Sequence, residues 1–552
     1  MSEHFKGPGQ VTGQPSWGTR TEAGHHEPGL NEKILFWASF FTLIAAGMGF
    51  SIRGDIIDDW GKQFGFTQGE LGIITGQGLA GFGLTIIFFS FFSDILGYGK
   101  LMVIAFLFHA ASIGLTLAAP YAFAQPSTMV NLGFTQIDIG GKSGAYLCLW
   151  AGAWAFSLGN GTCEAVINPL TATLFPKNKT HWLNILHAGW PGGLVLGAVV
   201  GYGLNKLEQQ GVATVGWMVR WGIVAAPVVL YGVMMLGRRF PRSEAETSGV
   251  SMGTMVLTLL SPILLFLFLL HAMVGYVELG TDTWIQDITK TVLRDKDYAL
   301  LAFIWTNVLM FTLRFFAGPI VHKISPVGLL FFSAVIGAGG LWMLGQPFTD
   351  SLWPWMAAVT VYGIGKTFYW PTMLGVISER YPQGGALALG ISGGIGMISA
   401  GFLGGPGIGY KQDYFAKQYL VANDPAAYQR YKGDETSPLK WVPAEYLPPV
   451  AGLDKAKVGI LNDNGEKLAV NLERAPDDAN YKKLNAWWQD AKATASEDKK
   501  PVDVAMFEAG KKALEVTAVV PAAMAVGFLL LLLYFLATGG YKQKVLDGHG
   551  GH

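Results

Sequence analysis

The sequence predicts an all-α membrane protein, with about twelve transmembrane helices in two pseudo-symmetric six-helix halves. Three observations predict it. Of 552 residues, 51% are hydrophobic and only 14% are charged, where a soluble domain carries about 25% charged residues. The mean hydropathy is +0.34. Stretches of about 20 mostly apolar residues, the length that crosses a bilayer, recur along the chain, and a short polar segment divides them into two sets. The 73 glycines suit membrane helices, where small residues let backbones approach. Lys+Arg and Asp+Glu balance at 39 each, so no global basic field exists to attract nucleic acid.

The first set of spans lies at 34–55, 70–92, 101–122, 144–168, 183–203 and 215–237. The second lies at 254–279, 298–321, 327–346, 354–377, 385–405 and 514–538. The domain plan is then a tail at 1–32, an N-terminal half at 33–237 and a linker at 238–253 that opens with Arg238, Arg239 and Arg242. The first five helices of the C-terminal half fill 254–405, a polar insert fills 406–511, the last helix 512–538 and a tail 539–552. The first apolar run follows about thirty polar residues, so it reads as a span and not as a signal peptide.

Basic residues concentrate in cytoplasmic loops. With the N-terminus inside, Lys100, Lys177, Lys179, Arg238, Arg239, Arg242, Lys323 and Arg380 fall on that side, while the acidic cluster Asp55, Asp58 and Asp59 falls outside with Lys290, Arg294 and Lys296. Both termini are expected in the cytoplasm, in a plasma membrane, or in the inner membrane of a Gram-negative cell. The insert is then extracytoplasmic. Pro476-Asp477-Asp478 marks a helix start within it, with acids in the first turn. A cap or a partner surface is its plain reading. Cys148 and Cys163 lie roughly 22 Å apart if they share one helix, too far for a bridge.

An internal repeat supports the two halves. Asn168-Pro169, Phe175-Pro176 and Gly192-Gly193 follow one another in the first half; Trp370-Pro371, Tyr381-Pro382 and Gly393-Gly394 follow at nearly equal distances in the second. Two related halves with a midplane site between them are a transporter plan. On these features the chain resembles the major facilitator superfamily. Asp94, Gly97 and Lys100 resemble its loop signature after the second span, with Ser90 and Ile95 departing from it. Glu164-Ala165-Val166-Ile167-Asn168-Pro169 resembles the Glu-x-x-x-Asn-Pro of the fucose:proton symporter family. Gly54-Asp55-Ile56-Ile57 resembles that family's Asn-Asp-Ile-Leu, and Arg314, Gly318 and Pro326 its Gly-Arg-x-x-Gly…Pro run. Leu183, Asn184 and Gly193 fit its next helix without a gap, and Glu278 before Gly280 its Glu-Val-x-x-Gly-Ser segment.

The resemblance implies a central cavity lined by spans one, four, seven and ten. Each holds a charged candidate: Asp55, Glu164, Glu278 and Lys366. Ionisable side chains inside a bilayer are costly and functional by default. Desolvation penalises the charged form of a carboxylate, so Glu164 is the first candidate proton carrier and Asp55 the second. The plainer alternatives are a structural carboxylate at Glu164 and a solvated loop acid at Asp55. Arg53, two residues from Asp55, points to a different helical face. Glu278 shares a helical stripe with His271, Gly275 and Asp282. Lys366 can pair with a carboxylate across the cavity or contact substrate.

His187 stands where the family usually has Gln, and Trp190 where it usually has Asn. Both are candidate substrate contacts, as are Glu278, Lys366, Tyr362 and Trp370; helix packing is the competing role for each aromatic. Tyr369 is a further aromatic that can stack on a sugar. Asp94 and Arg314 are the gating candidates, Arg314 with a structural alternative. Gly69, Gly72, Gly76 and Gly81 read as packing. No metal cluster and no nucleophile–base set stands out, so no cofactor and no enzyme activity are expected. The expected function is secondary active transport, with proton-coupled symport of a sugar or related polar solute leading. An organic-anion carrier, a nucleoside carrier and a non-transporting nutrient receptor are the rivals. The expected partners are a small solute, protons and lipid, with no nucleic acid, and a monomer is expected.

Overall fold

The computed structural model describes residues 29–546, apart from 67, 77, 132, 134–135, 213–214, 437–442, 446, 475 and 477. Most of the expected N-terminal tail, the end of the C-terminal tail and Asp477 therefore lie outside the described residues. Helices occupy all twelve predicted stretches. In the N-terminal half they are Leu30–Phe64, Gln68–Gly76 with Gly78–Leu96, Tyr98–Phe123, Gly141–Leu174, Lys179–Gln209, and Trp217–Gly222 with Ala225–Met235. In the C-terminal half the seventh span is Pro262–Asp282, the eighth Lys296–Arg314 with Ala317–Ile324, the ninth Pro326–Leu344 and the tenth Leu352–Lys366 with Tyr369–Arg380. The eleventh is Gly385–Ser399, and it runs on through the π-helical turn Ala400–Gly404 into Gly405–Asn423. The twelfth is Val519–Ala537, led by Ala495–Thr517.

Nine helices among the described residues are long and apolar enough to cross a membrane, and ten if the eighth span, bent by 63°, counts as one. The fourth and tenth spans are the exceptions. The fourth is diluted by Asn160, Glu164 and Asn168, and the tenth is broken into two short helices after Lys366. The first span also runs nine residues past its predicted end. Ile52, Ile56, Trp60 and Phe64 are buried at four-residue spacing, and that stripe carries the helix on. Asp55, Asp58 and Asp59 are therefore helical, and the reading of Asp55 as a loop acid is corrected.

The backbone repeats the sequence repeat. The residue before the third span, Gly97, has φ 79° and ψ 150°; its counterpart before the ninth, Ser325, has φ 66° and ψ 160°. Glycine takes this region freely; the serine holds it while its side chain caps Gly328 N–H. Phe175 and Tyr381, which end the fourth and tenth spans, share φ −127° and ψ near 60° (61° and 53°). The halves meet through spans two and eleven and through spans five and eight. At the first crossing a Cβ on Gly83 would stand 2.8 Å from the carbonyl oxygen of Gly394, so only glycine permits this approach.

The insert is folded. Lys432–Thr436 and Val450–Leu453 form an antiparallel pair, and Leu420, Tyr431, Leu461, Trp488 and Val502 belong to a core separate from that of the spans. Asp478 caps Ala479–Ala491 by accepting from Asn480 and Tyr481 N–H, one residue inside the predicted helix start. Arg430 pairs with Asp498. The insert rests on the end of the seventh span, where the Lys455 ammonium lies 4.0 Å from the Trp284 ring centroid.

Candidate functional site

A cavity of about 870 Å³ opens between the two halves. Phe50, Arg53, Asp55, Trp190, Tyr202 and Asn205 line it from the N-terminal half; Asp282, Gln286, Lys290, Lys296 and Phe303 line it from the C-terminal half. Exposed residues such as Gly54, Gln286 and Lys290 form its rim, so it opens at the end of the bundle that carries Asp55 and Trp284. Trp190 forms part of its floor, with its ring 5.1 Å from Phe50 and 6.5 Å from Phe82.

A buried polar chain begins one turn below that floor. Glu164 and Glu278 are 4% and 3% exposed, carboxylates buried inside the helix bundle. Asn168 Nδ2 donates to Glu164 Oε2 at 2.5 Å and to the Glu164 carbonyl at 3.1 Å. That orientation leaves Asn168 Oδ1 to accept from His187 Nε2 at 2.8 Å. The carbonyl of His187 accepts from Arg314 Nη1 at 2.6 Å, across the boundary between the halves. Arg314 Nη2 then donates to Glu278 Oε1 at 3.0 Å. Its Nε donates to the Thr367 carbonyl at 2.8 Å, a group freed because the tenth span breaks there. Broken spans that present backbone groups at mid-depth are a transporter feature. Glu278 Oε2 makes no hydrogen bond. Beside this chain, Lys366 pairs with Asp282, which also lines the cavity.

The geometry couples the two halves. His187 and Trp190 are three residues apart on one helix, and Glu278 and Asp282 four apart on another, so each pair shares a face. The upper member touches the cavity and the lower member belongs to the buried chain. Leaving a buried ion unpaired costs about 3–5 kcal/mol. Arg314 therefore joins the halves by its ion pair with Glu278 and its bond to the His187 carbonyl.

The opposite end is closed. Glu379 Oε1 accepts from Thr180 N–H at 3.1 Å and from Thr180 Oγ1 at 2.6 Å. Asn184 Nδ2 donates to Thr372 Oγ1 at 3.1 Å. Lys179 Nζ reaches the Ser378 carbonyl at 3.3 Å and pairs with Glu244 of the linker.

A cavity between two six-helix halves, open at one end and sealed at the other, is joined by a direct sequence match. Residues 36–405 match the family described as Major Facilitator Superfamily. The chain belongs to that superfamily. No curated protein matches it. The facilitator is similar in structure to the fucose:proton symporter of E. coli, with a TM-score of 0.53 and 14% identity over 70% of this chain and 93% of that one. It is similar to a proton:xylose symporter bound to 6-bromo-6-deoxy-D-glucose, with a TM-score of 0.56 and 16% identity over 71% and 90%. It is also similar to a bacterial homologue of the human lysosomal transporter Spinster, inward-facing and unoccupied, with a TM-score of 0.53 and 14% identity over 93% and 99%. At these identities the likeness is one of fold.

In this facilitator the predicted residues separate into groups. Glu164, His187, Glu278 and Arg314 meet in the buried chain, and Lys366 stands beside it. Asp55 lies apart at the mouth. Its Oδ2 accepts from Arg220 at 2.9 Å and its Oδ1 from Asn205 at 2.7 Å, while Arg220 also pairs with Asp59. Arg314, expected as a gate, sits at mid-depth. Asp94 lies at the closed end beside Ser243 of the linker; one of its oxygens is buried without a hydrogen bond. Tyr362, Trp370 and Tyr369, expected to stack on a sugar, lie away from this cavity. Tyr362 donates to the Val277 carbonyl and Tyr369 to that of Ser333, and Trp370 packs edge-on against His271 at 4.6 Å. All three are buried, and none lines the cavity. Sequence reasoning missed Arg220 and Asn205. An arginine in an apolar sixth span was the available signal for the first; nothing in the pattern singled out the second.

Proposed function

We propose that this facilitator is a proton-coupled symporter of a sugar or related small polar solute, working by alternating access in a cell membrane. The closed end faces the cytoplasm on this reading, and the cavity and the insert face outward. The observation that carries the proposal is the buried chain from Glu164 through Asn168, His187 and Arg314 to Glu278, spanning both halves directly beneath the cavity. The fold likeness to a fucose:proton and a proton:xylose symporter supports the same reading. So does the amphipathic wall, where Trp190, Phe50 and Tyr202 offer flat apolar faces and Asn205 and Asp282 offer polar ones.

Glu164 carries the coupled proton. While charged, it holds the Asn168 amide, which accepts from the His187 ring, and the helix that carries His187 meets Arg314 through its carbonyl. Protonation weakens that charge-assisted bond and frees Asn168 and His187 to shift. Arg314 then keeps only the partners of its own half, Glu278 and the Thr367 carbonyl, and the halves can rock about the floor. Substrate seated on Trp190 supplies the other half of the condition. A ligand moves such an equilibrium only by its differential affinity for the two states.

The test is uptake into vesicles containing the purified protein, with and without an inward proton gradient, over a panel of sugars, nucleosides and carboxylates. A gradient should drive accumulation, and Glu164→Gln should abolish accumulation while keeping counterflow exchange of the same solute. Uptake that ignores both the gradient and the substitution would sink the proposal.

A further inference from the structure

Arg53 carries a charge that nothing in the described structure neutralises. Its side chain is 6% exposed, it lines the cavity, and no carboxylate among the described residues pairs with it. Its Nε is buried without a hydrogen-bond partner. The guanidinium lies instead over rings, with its central carbon 4.9 Å from the Phe156 centroid, 5.4 Å from Trp221 and 6.0 Å from Phe50. Aromatic faces attract a cation, but they leave the planar fork of donors, which matches a carboxylate in two-pronged fashion, unused. The nearest acid in sequence is committed elsewhere, because both oxygens of Asp55 are taken by Asn205 and Arg220. Asp282, which lines the cavity from the other half, is held by Lys366. A buried, unpaired cation costs several kcal/mol and persists only where something compensates for it.

We infer that the missing counter-charge arrives with the substrate: the solute carries a carboxylate, and Arg53 binds it while Trp190 and Phe50 face its carbon skeleton. This rests on the symport reading and narrows its substrate class from sugars to hydroxylated monocarboxylates of sugar size. One carboxylate is the match, because Arg53 is the one guanidinium lining the cavity among the described residues; the rim carries both signs, Asp58 and Asp287 beside Lys206, Lys290 and Lys296.

The test is binding by ligand-induced shift of the melting temperature, with the full chain in lipid nanodiscs and matched probes: D-glucose with D-glucuronate, D-galactose with D-galacturonate, and D-glucose 6-phosphate as the dianion. At least one uronate should bind about 100-fold more tightly than its neutral partner, the scale of a buried charge pair. Arg53→Met should remove that preference, while Arg53→Lys should keep part of it. The ligand-free melting temperature of Arg53→Met should hold or rise, because the variant replaces an unpaired buried charge by an apolar chain of similar length. A purely structural arginine would instead lower it. Neutral sugars binding as tightly as uronates would overturn the inference, as would an Arg53→Met variant that discriminates like the parent. Tighter binding of the phosphate than of either uronate would overturn the carboxylate assignment. Proton-driven uptake of neutral sugars alone leaves the symport reading standing and this inference refuted. Arg53-dependent uronate binding whose uptake ignores the proton gradient does the reverse.

Discussion

The two ends of the bundle are built differently. Around the open cavity the ion pairs stay within one half: Arg220 with Asp55 and Asp59 on the N-terminal side, Lys366 with Asp282 on the C-terminal side. At the closed end the bonds cross. Thr180 and Asn184 of the fifth span reach Glu379 and Thr372 of the tenth, and the C-terminal tail ties both halves, since Gln543 donates to the Pro176 carbonyl while Tyr541 donates to Glu379 Oε2 at 2.7 Å. The difference teaches where the conformational energy is stored. Pairs within a half survive rocking of the halves, whereas bonds between them must break. On the alternating-access proposal, the open end organises a site and the closed end acts as a latch. Between them, Arg314 bonds to both halves, so it belongs to neither end and serves both.

The comparison breaks most severely at that middle. Arg314→Met leaves Glu278 buried and unpaired, and should cost about 3–5 kcal/mol of stability. It should also abolish transport. Adding Glu278→Gln to the same chain should recover most of the stability and none of the coupling. The measurement is thermal unfolding beside vesicle uptake for the two variants. Full recovery of proton-driven uptake in the double variant would mean that the buried chain is packing and nothing more.

Glu379→Ala acts on the latch alone. It removes an acceptor of three hydrogen bonds, two of them from Thr180, and bonds to a charged group are worth about 1.5–3 kcal/mol each. Part of that returns as water enters, so a shift of roughly 2 kcal/mol toward the state open at the other end is expected, about 30-fold in population. The cavity should then close. With Cys148 and Cys163 replaced by serine, Ser51→Cys on the cavity wall reports this as slower labelling by a membrane-impermeant thiol reagent. Unchanged labelling would mean that the crossing bonds do not hold the present state.

The sequence made the fold legible and the site half so. Apolar spans, the charge-rich linker and the paired Pro and Gly-Gly positions mark twelve helices in two halves, because a bilayer enforces length and hydropathy on each span separately. Glu164 and Glu278 stood out for the same reason, as charges where lipid tolerates few. Their connection could not be read. Asn168, His187 and Arg314 come from three helices, and nothing local tells a polar residue which helix it will face. The surroundings of the aromatic residues were hidden in the same way. Tyr362, Tyr369 and Trp370 sit at helical spacing beside Lys366, but whether such a ring faces a cavity or a neighbour depends on rotation of the helix. That is set by contacts such as Gly337 against the Tyr369 hydroxyl and Gly396 against Trp370. Arg53, with Lys366 and His187, kept an anionic solute open, but its packing against Phe156 and Trp221 from two other helices could not be read.

The smallest effect separates the latch from its fastening. Glu379 meets two partners of different kind: Thr180 from the opposite half, and Tyr541 from the tail, which also places its backbone near Pro176 through Gln543. If the tail only covers the loop, losing the Tyr541 hydroxyl should not change the balance between states. If it fastens the latch, Tyr541→Phe removes one hydrogen bond to a carboxylate while keeping the ring against Phe535 and Arg380. The expected cost is about 1 kcal/mol, and the labelling rate at Ser51→Cys should fall by roughly fivefold. Combining Tyr541→Phe with Glu379→Ala should add nothing, because the hydroxyl has then already lost its acceptor. An additive double variant would place the tail's contribution elsewhere, on the Pro176 carbonyl, and would make the strap and the gate two devices where a single carboxylate now joins them.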